Sequence, residues 1–538
     1  MNENKKNSRY LLGLLILFLS IFSIKLVLSF LMNGTFIYID EFCILQKGKY
    51  FIETFRLISC TDIIGTSASN PFPLYPILIS PIYLFFNGFN AYYAILILNS
   101  LIIASLVFPL YKIIKHFINK DWLIYIFISI ILFSASIFTL EKTVMTGTIF
   151  LVVGIWFIYF YLLSFIENKK RNKIISIILS ILAIFTRPYG FIIPLSLIIN
   201  ELVLAKKKKR LILILSTLLF LSGIGFFVFS YIYFPEHDLS LKISNLMSPE
   251  GIKLFILAVK NQLINFILPL FFVVPIIFIS FNFKKNLNDY KYIKYFLISF
   301  IILNFLISAQ HMFGYYVGAA GSSPSPLNFL TRYINLSLTY ILLFSFIFIY
   351  KFGKFKLNSR NIIISTILLI PLLTLQFTSM KYALSLDIEI YKFLSTNIKT
   401  IILFLFLFSI LLLNKKHLIS LLIAILILIN SLLSFQRVYL TSNGNTKDFF
   451  TYFFERSNQN ILFENQFFIN EENPELKYHT LYWSLKLFSQ NNIDMVNDIN
   501  EVEDIEKYDY IIDPQGTSFE LPYKLILTTE YERVFQKI

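Results

Sequence analysis

The chain has 538 residues, of which 57% are hydrophobic and 15% charged, and its mean hydropathy is +0.69. Soluble proteins carry roughly 25% charged residues, so an ordinary water-soluble globule is excluded. The formal charge of +15 does not point to nucleic acid: residues 438–538 hold 8 Lys or Arg against 17 Asp or Glu, whereas residues 1–437 hold 39 against 15, and a basic excess lodged between apolar runs is the signature of positive-inside membrane topology.

Chain order begins with Lys5, Lys6 and Arg9 ahead of an apolar run, Leu11 to Met32. The run is longer than a signal-peptide core and lacks a small-x-small cleavage site, so it is expected to stay as a membrane anchor. Apolar stretches recur at 10–32, 91–111, 122–140, 145–166, a tight pair 174–186 and 190–205, 211–234, 263–281, 296–316, 332–350, 361–380, 400–413 and 418–436. A hydrocarbon layer ~30 Å thick requires this of each helix crossing it. The fold class is therefore an α-helical polytopic membrane protein of about 11 to 13 transmembrane helices. Lys25 lies deep in the first run and should face protein or water. The lysine-rich loops all fall on one side if the N-terminus is cytosolic. An odd number of spans then sends the acidic C-terminal segment outside, in a plasma (cell) membrane. The domains are expected at 1–436, transmembrane, and 437–538, a soluble extracytoplasmic α/β unit.

The first external loop, 33–90, carries YIDEFCILQKGKYFIETFRL and then NPFPLYPILISPIYLFF. Asp40 and Glu41 stand at the membrane boundary, directly after a span, in a stretch that reads as an amphipathic helix. A carboxylate there is placed either to take a proton from an acceptor hydroxyl or amine, or to favour the first turn of that helix. Cys43 and Cys60 share the loop, as a disulfide closing 18 residues or as separate thiols. The Pro-rich segment 71–81 and the run to Phe86 are too short and broken to span and read as interfacial.

Further along, TRPYG at 186–190 is expected to turn within or at the edge of the outer leaflet, with Pro188 and Gly190 breaking the helix. Arg187 and Arg332 then fall at the external ends of spans. An arginine there either grips the phosphate of a lipid-linked donor bidentately or snorkels. His311 is near the outer end of its own run. In the tail, NILFENQFF, NIDMVND, YDYIIDP and YKLILTTE read as strands, and a stretch around HTLYWSLKLFSQ as a helix. No G-x-G-x-x-G, P-loop, paired C-x-x-C or H-E-x-x-H is present in the sequence.

The order of these features resembles the GT-C superfamily of polyprenyl-phosphate-sugar glycosyltransferases, and within it the protein O-mannosyltransferases and lipid A aminoarabinose transferases. The resemblance rests on a cytosolic N-terminus, one span, and a loop opening with Asp-Glu and closing with NPFPLYPIL. TRPYG and the Arg-Tyr pair of FLTRYINLSL at 329–338 extend it. It implies a GT-C-like fold and an inverting sugar transfer, with Asp40 as base, Glu41 as its neighbour, and Arg187, Arg332 and Tyr333 on the donor phosphate. It also implies a second acidic residue in the next external loop. Here LEKTVMTGTIFL has Thr146 or Gly147 near the expected place, so Glu141, the one carboxylate of that loop, is the candidate second acid; the alternative is an interfacial charge pairing Lys142. The family is mixed in metal dependence, so a divalent metal stays open, with no metal ligand set in the sequence. The expected partners are a polyprenyl-phosphate-linked sugar, a lipid, glycan or protein acceptor, and membrane lipids, but no nucleic acid. A transporter or flippase of lipid-linked glycans is the alternative, and scarce intramembrane charges and the lack of an inverted repeat speak against it.

Overall fold

A computed structural model describes residues 2–31, 39–58, 73–134, 137, 140–204, 248–267, 291–318 and 331–352, and in the tail 459–464, 492–496, 504, 507–514, 523–528 and 532–537. The spans expected at 211–234, 361–380, 400–413 and 418–436, and the helix expected around 480, lie outside the described residues. The chain divides into two compact units: 1–23, 99–141 and 146–435 form one, and 24–98, 142–145 and 436–538 the other.

Helix α1 (Asn2–Leu31) bears out the first span. Leu11, Leu12, Leu15 and Ile16 are about half exposed or more, whereas Leu14 and Ile21 are buried at 2%. Water does not tolerate such an apolar face on a 20-residue segment, and hydrocarbon does. The chain is an integral membrane protein by this logic, and Asn90–Phe117 and Gly147–Ile166 are also long and apolar enough to cross a bilayer.

Helices α4 (Gly88–Ala104) and α5 (Val107–Phe117) make one interrupted span rather than the single run expected at 91–111. Pro109 has no N–H to return to the carbonyl four residues back, so the α-helical ladder breaks just before it. Ser105 Oγ meanwhile donates to the Ile102 carbonyl at 2.6 Å. Helix α6 (Asp121–Leu132) ends well short of 140, where Ser134 Oγ caps the Ile131 carbonyl at 2.7 Å. Asp121, in its first turn, accepts from Lys115 at 2.6 Å and from Tyr111 OH at 2.7 Å, which closes the α5–α6 corner.

Helices α7 (Gly147–Ile166) and α8 (Lys170–Ile184) form a hairpin turned by Asn168 at φ +51°. The tight pair expected next is confirmed: a 3-10 turn at Pro188–Phe191 joins α8 to α9 (Ile192–Leu204). Helix α10 (Pro249–Ile267) starts upstream of the span expected at 263–281, of which 268–281 lies outside the described residues. Ser248 caps its start by accepting from Gly251 N–H at 2.9 Å, a Ser-Pro-Glu signal that hydropathy overlooks. Helices α11 (Lys291–Gly318) and α12 (Thr331–Phe352) match the late spans. Their packing is aromatic: Phe300 and Tyr340 ring centroids are 5.1 Å apart, and Tyr340 OH donates to the Gly154 carbonyl at 2.7 Å. A Cβ on Gly154 would meet Leu336 Cδ2 at 2.6 Å, so α12 approaches α7 only because residue 154 has none.

A polar knot pins this bundle. Glu201 on α9 accepts from Lys173 on α8 at 2.9 Å and from Tyr161 on α7 at 3.1 Å. Asn200 donates to Tyr161 OH and accepts from the Phe296 N–H at 3.1 Å, which ties α9 to α11. Buried ionisable groups need such partners in an apolar surround.

In the second unit, α2 (Ile39–Thr54) packs on α3 (Leu74–Ile79) and the 3-10 turn Ser80–Leu84. Gly48 sets that approach, since a Cβ there would stand 3.0 Å from Ile79 Cγ1. Helix α2 ends at Thr54: the Phe55 N–H still donates to the Phe51 carbonyl at 2.7 Å, and the φ of +54° at Phe55 then turns the chain out of the helix. The tail holds a five-stranded sheet in the order β2-β1-β3-β5-β4, from β1 (Asn460–Glu464), β2 (Asn492–Val496), β3 (Tyr510–Pro514), β4 (Tyr523–Thr528) and β5 (Glu532–Lys537). Strands β2, β1 and β3 are parallel, and β5 runs antiparallel to both of its neighbours. The fifth strand, ERVFQK, was not expected, because its charges mask the alternation.

Candidate functional site

Each unit presents one group of the residues singled out in the sequence. In the unit that carries α2, Asp40 is the second residue of that helix, and its side chain lies outside the described part. Glu41 follows, fully buried, and its Oε1 accepts from the backbone N–H of Val144 at 2.5 Å. Lys142 is also fully buried. Its Nζ donates to the Lys25 carbonyl at 2.9 Å and to Ser29 Oγ at 2.5 Å, while Ser29 Oγ itself donates to the Lys25 carbonyl at 3.0 Å. Segment 142–145 is thus tied to α1 by an ammonium and to α2 by a carboxylate. Both charges spend their hydrogen-bonding capacity on groups that do not move, which is how a bilayer-depth charge is made tolerable.

Lys25, flagged from its depth in the first span, is buried as expected, and its carbonyl is part of this anchorage. Lys142 was noticed only as a neighbour for Glu141. Nothing in the sequence distinguishes a buried strut from an interfacial charge, because the difference lies in what α1 presents to it. Cys43 is buried and disulfide-bonded; the sequence holds one other cysteine, Cys60, which lies outside the described residues.

In the other unit, Arg187 is the residue between α8 and the Pro188–Phe191 turn. Its backbone is extended, φ −153° and ψ 152°, as the residue before a proline must be. Only 5% of it is exposed. Nε donates to Thr146 Oγ1 at 3.1 Å, and the guanidinium carbon sits 5.1 Å from the Tyr189 ring centroid. Tyr189 is fixed in turn by an edge-to-face contact with Phe150, centroids 5.6 Å apart. The turn itself is locked by the Gly190 N–H, which donates to the Arg187 carbonyl at 2.9 Å. A Cβ on Gly190 would fall 1.9 Å from the Ala183 carbonyl oxygen, so glycine is obligatory there.

Glu141, the candidate second acid, is fully buried at the end of the α6–α7 connection. Its Oε1 accepts from Ser100 Oγ at 2.7 Å, and Asn99 Nδ2 donates to its backbone carbonyl at 3.4 Å. It is therefore no solvated rim charge. Arg332 and Tyr333 occupy the first turn of α12, and His311 the last part of α11; the side chains of all three lie outside the described part. Among the described residues no group of three or more His, Cys, Asp or Glu is placed to hold a metal ion.

No family model matches this sequence, and no curated protein matches it either. Solved structures do. The chain is similar to a crystal structure of ArnT from Cupriavidus metallidurans bound to undecaprenyl phosphate, with a TM-score of 0.56, 13% identity and 98% of each chain covered. It is similar also to the apo crystal structure of ArnT from the same organism, with a TM-score of 0.52, 12% identity and 98% of each chain covered. At this identity the likeness establishes the fold, which is GT-C-like as the motif order implied.

Proposed function

We propose that this chain is an inverting membrane glycosyltransferase that moves a sugar from a polyprenyl-phosphate donor to a lipid, glycan or protein acceptor at the outer face of the cell membrane. Undecaprenyl phosphate is the molecule bound by the ArnT crystal structure whose fold this chain shares. The observation that carries the reading is Arg187: a guanidinium nine-tenths buried, set at the N-terminus of the 20-residue helix α7. A helix N-terminus favours negative charge, and the planar guanidinium matches the geometry of a phosphate.

In the proposed step, Asp40 takes the proton of the acceptor hydroxyl or amine as that atom bonds to the sugar's anomeric carbon. The bond from that carbon to the phosphate oxygen breaks on the opposite face, and the polyprenyl phosphate leaves with the electron pair. Arg187, with Arg332 and Tyr333 at the start of α12, holds the departing phosphate. Glu41 is Asp40's neighbour and Glu141 a second acidic position. The disulfide at Cys43 supports placing the first loop outside the cytosol, since such bonds persist in oxidising compartments. The N-terminus is then cytosolic, and residues 437–538 form the extracytoplasmic unit.

Purified protein supplied with a radiolabelled polyprenyl-phosphate sugar and candidate acceptors should transfer label. Asp40→Asn should slow transfer by about 100-fold or more, the usual range for a lost general base. Transfer at the wild-type rate in a folded Asp40→Asn protein would remove the proposed base.

A further inference from the structure

We propose that the α5–α6 corner and the α7–α8 turn together form a docking surface for anionic phospholipids, whose phosphate headgroups meet Lys120, Lys170 and Arg171 while their acyl chains run along the exposed stripes of α6 and α8. This surface does not depend on sugar transfer, only on the bundle lying in a bilayer.

Two separate stretches of chain assemble it. Residues 112–121 and 167–173 hold seven Lys or Arg against two Asp or Glu. Lys115 joins Asp121 at 2.6 Å across the corner, and Lys169 joins Glu167 at 2.9 Å across the turn. The two ends meet through α5: the Glu167 carboxyl is held low first by the hydrogen bond from Lys169 and also by the charge of Lys112, one helical turn from Lys115. Lys173 turns inward to Glu201 at 2.9 Å. Both carboxylates of the surface are thereby engaged. Lys120, Lys170 and Arg171 are exposed and, among the described residues, join no ion pair. Like charges gathered in this way repel, and an anion supplied from outside relieves them.

The apolar surface beside the cations makes that anion a lipid. Arg171, Ile174 and Ile178 recur at i, i+3 and i+7 and so share one face of α8. All three are exposed, Ile174 at 57%, whereas Asn172, Ser176 and Ser180 are buried on the other face. On α6, Trp122 is 57% exposed and Ile126, four residues on, 40%. Each stripe has a cation at its start and apolar side chains after it, which is the order of groups along a phospholipid. A soluble polyanion would engage the cations and leave the stripes bare. Positive-inside topology concerns only how many cations a loop holds; it does not call for cations at the head of exposed apolar stripes.

The test reads local lipid composition by tryptophan quenching, on the full-length protein in nanodiscs of phosphatidylcholine doped with dibrominated phosphatidylglycerol or, separately, with dibrominated phosphatidylcholine. The sequence has three tryptophans. With Trp156→Phe and Trp483→Phe, Trp122 reports the corner; adding Trp122→Phe and Ile174→Trp moves the reporter to α8. The phosphatidylglycerol should quench each reporter more strongly than the phosphatidylcholine at the same dose. Lys120→Gln should lower that preference at Trp122 by about fivefold, the worth of one cation beside an anionic lipid surface. Lys170→Gln with Arg171→Gln should bring the preference at Ile174→Trp to near parity. Equal quenching by the two lipids with all the cations intact overturns the inference, and so does a preference that survives the substitutions. An equal preference at Leu306→Trp, exposed on α11 outside this surface, overturns it too, since the enrichment would then be general. If Ile174→Trp does not fold, Ile178→Trp takes its place.

Discussion

The helix that carries Asp40 and the turn that carries Arg187 hold their charged side chains in opposite ways. Beside Asp40, charge is fixed by charge-assisted bonds to immobile groups: Glu41 to the Val144 amide, Lys142 to the Lys25 carbonyl and Ser29. Around Arg187 the fixing groups include a neutral hydroxyl, an aromatic face and two glycines whose missing carbons leave the necessary room. Buried carboxylates and lysines that saturate themselves on backbone act as struts.

That contrast can be broken most severely at the Arg187 turn. Gly190→Ala puts a carbon 1.9 Å from the Ala183 carbonyl, which is backbone and cannot step aside. The turn must open, at a cost of roughly 3 kcal/mol or more, read as a lower unfolding temperature and loss of undecaprenyl phosphate binding. An unfolding temperature equal to wild type would mean that the turn does not depend on clearance.

The next largest effect is expected on the other side. Lys142→Met keeps the stem and removes the ammonium, so the Lys25 carbonyl and Ser29 Oγ lose the bonds it donates. It should cost about 1–3 kcal/mol, visible as faster hydrogen exchange at segment 142–145. If exchange there is unchanged, the ammonium is not what anchors the segment.

The smallest effect sharpens the comparison by moving outside both regions. Glu167, at the exposed α7–α8 turn, has its carboxyl held below the usual range by the hydrogen bond from Lys169, 2.9 Å away. A depressed carboxyl contributes stability above its unfolded value and loses it as pH falls through the folded value. Glu167→Gln should therefore differ slightly from wild type near neutrality and converge with it in acid; exposed pairs of this kind contribute little. A gap that widens in acid would reverse the sign.

Much of the bundle was legible because lipid enforces a simple rule: a long apolar run must be a helix. The first span, the TRPYG turn and the late spans follow from it and from proline and glycine at the breaks, and α2 from its amphipathic pattern. The rule is blind to where a helix pauses, so the break before Pro109 and the early stop of α6 at Leu132 went unseen. It also overlooks polar start signals, which is why Ser248-Pro249-Glu250 and the helix after it were displaced. In the tail, the strand at 532–537 hid behind its own charges.

At the candidate site, residue types were readable and partnerships were not. Thr146 stood out in the sequence as the position where an acid was missing. Its hydroxyl proves to be the acceptor for Arg187, a residue 41 positions away in the chain.

The sequence by itself determined the solvent. Composition and hydropathy summed over hundreds of residues leave no alternative to a bilayer, and the order of short motifs along the chain anticipated the GT-C-like fold. Only the tertiary structure decided which charges are struts and which residue grips which, because a side chain's role in an apolar interior depends on the one or two atoms within 3 Å of it, and those come from helices that the linear order does not place side by side.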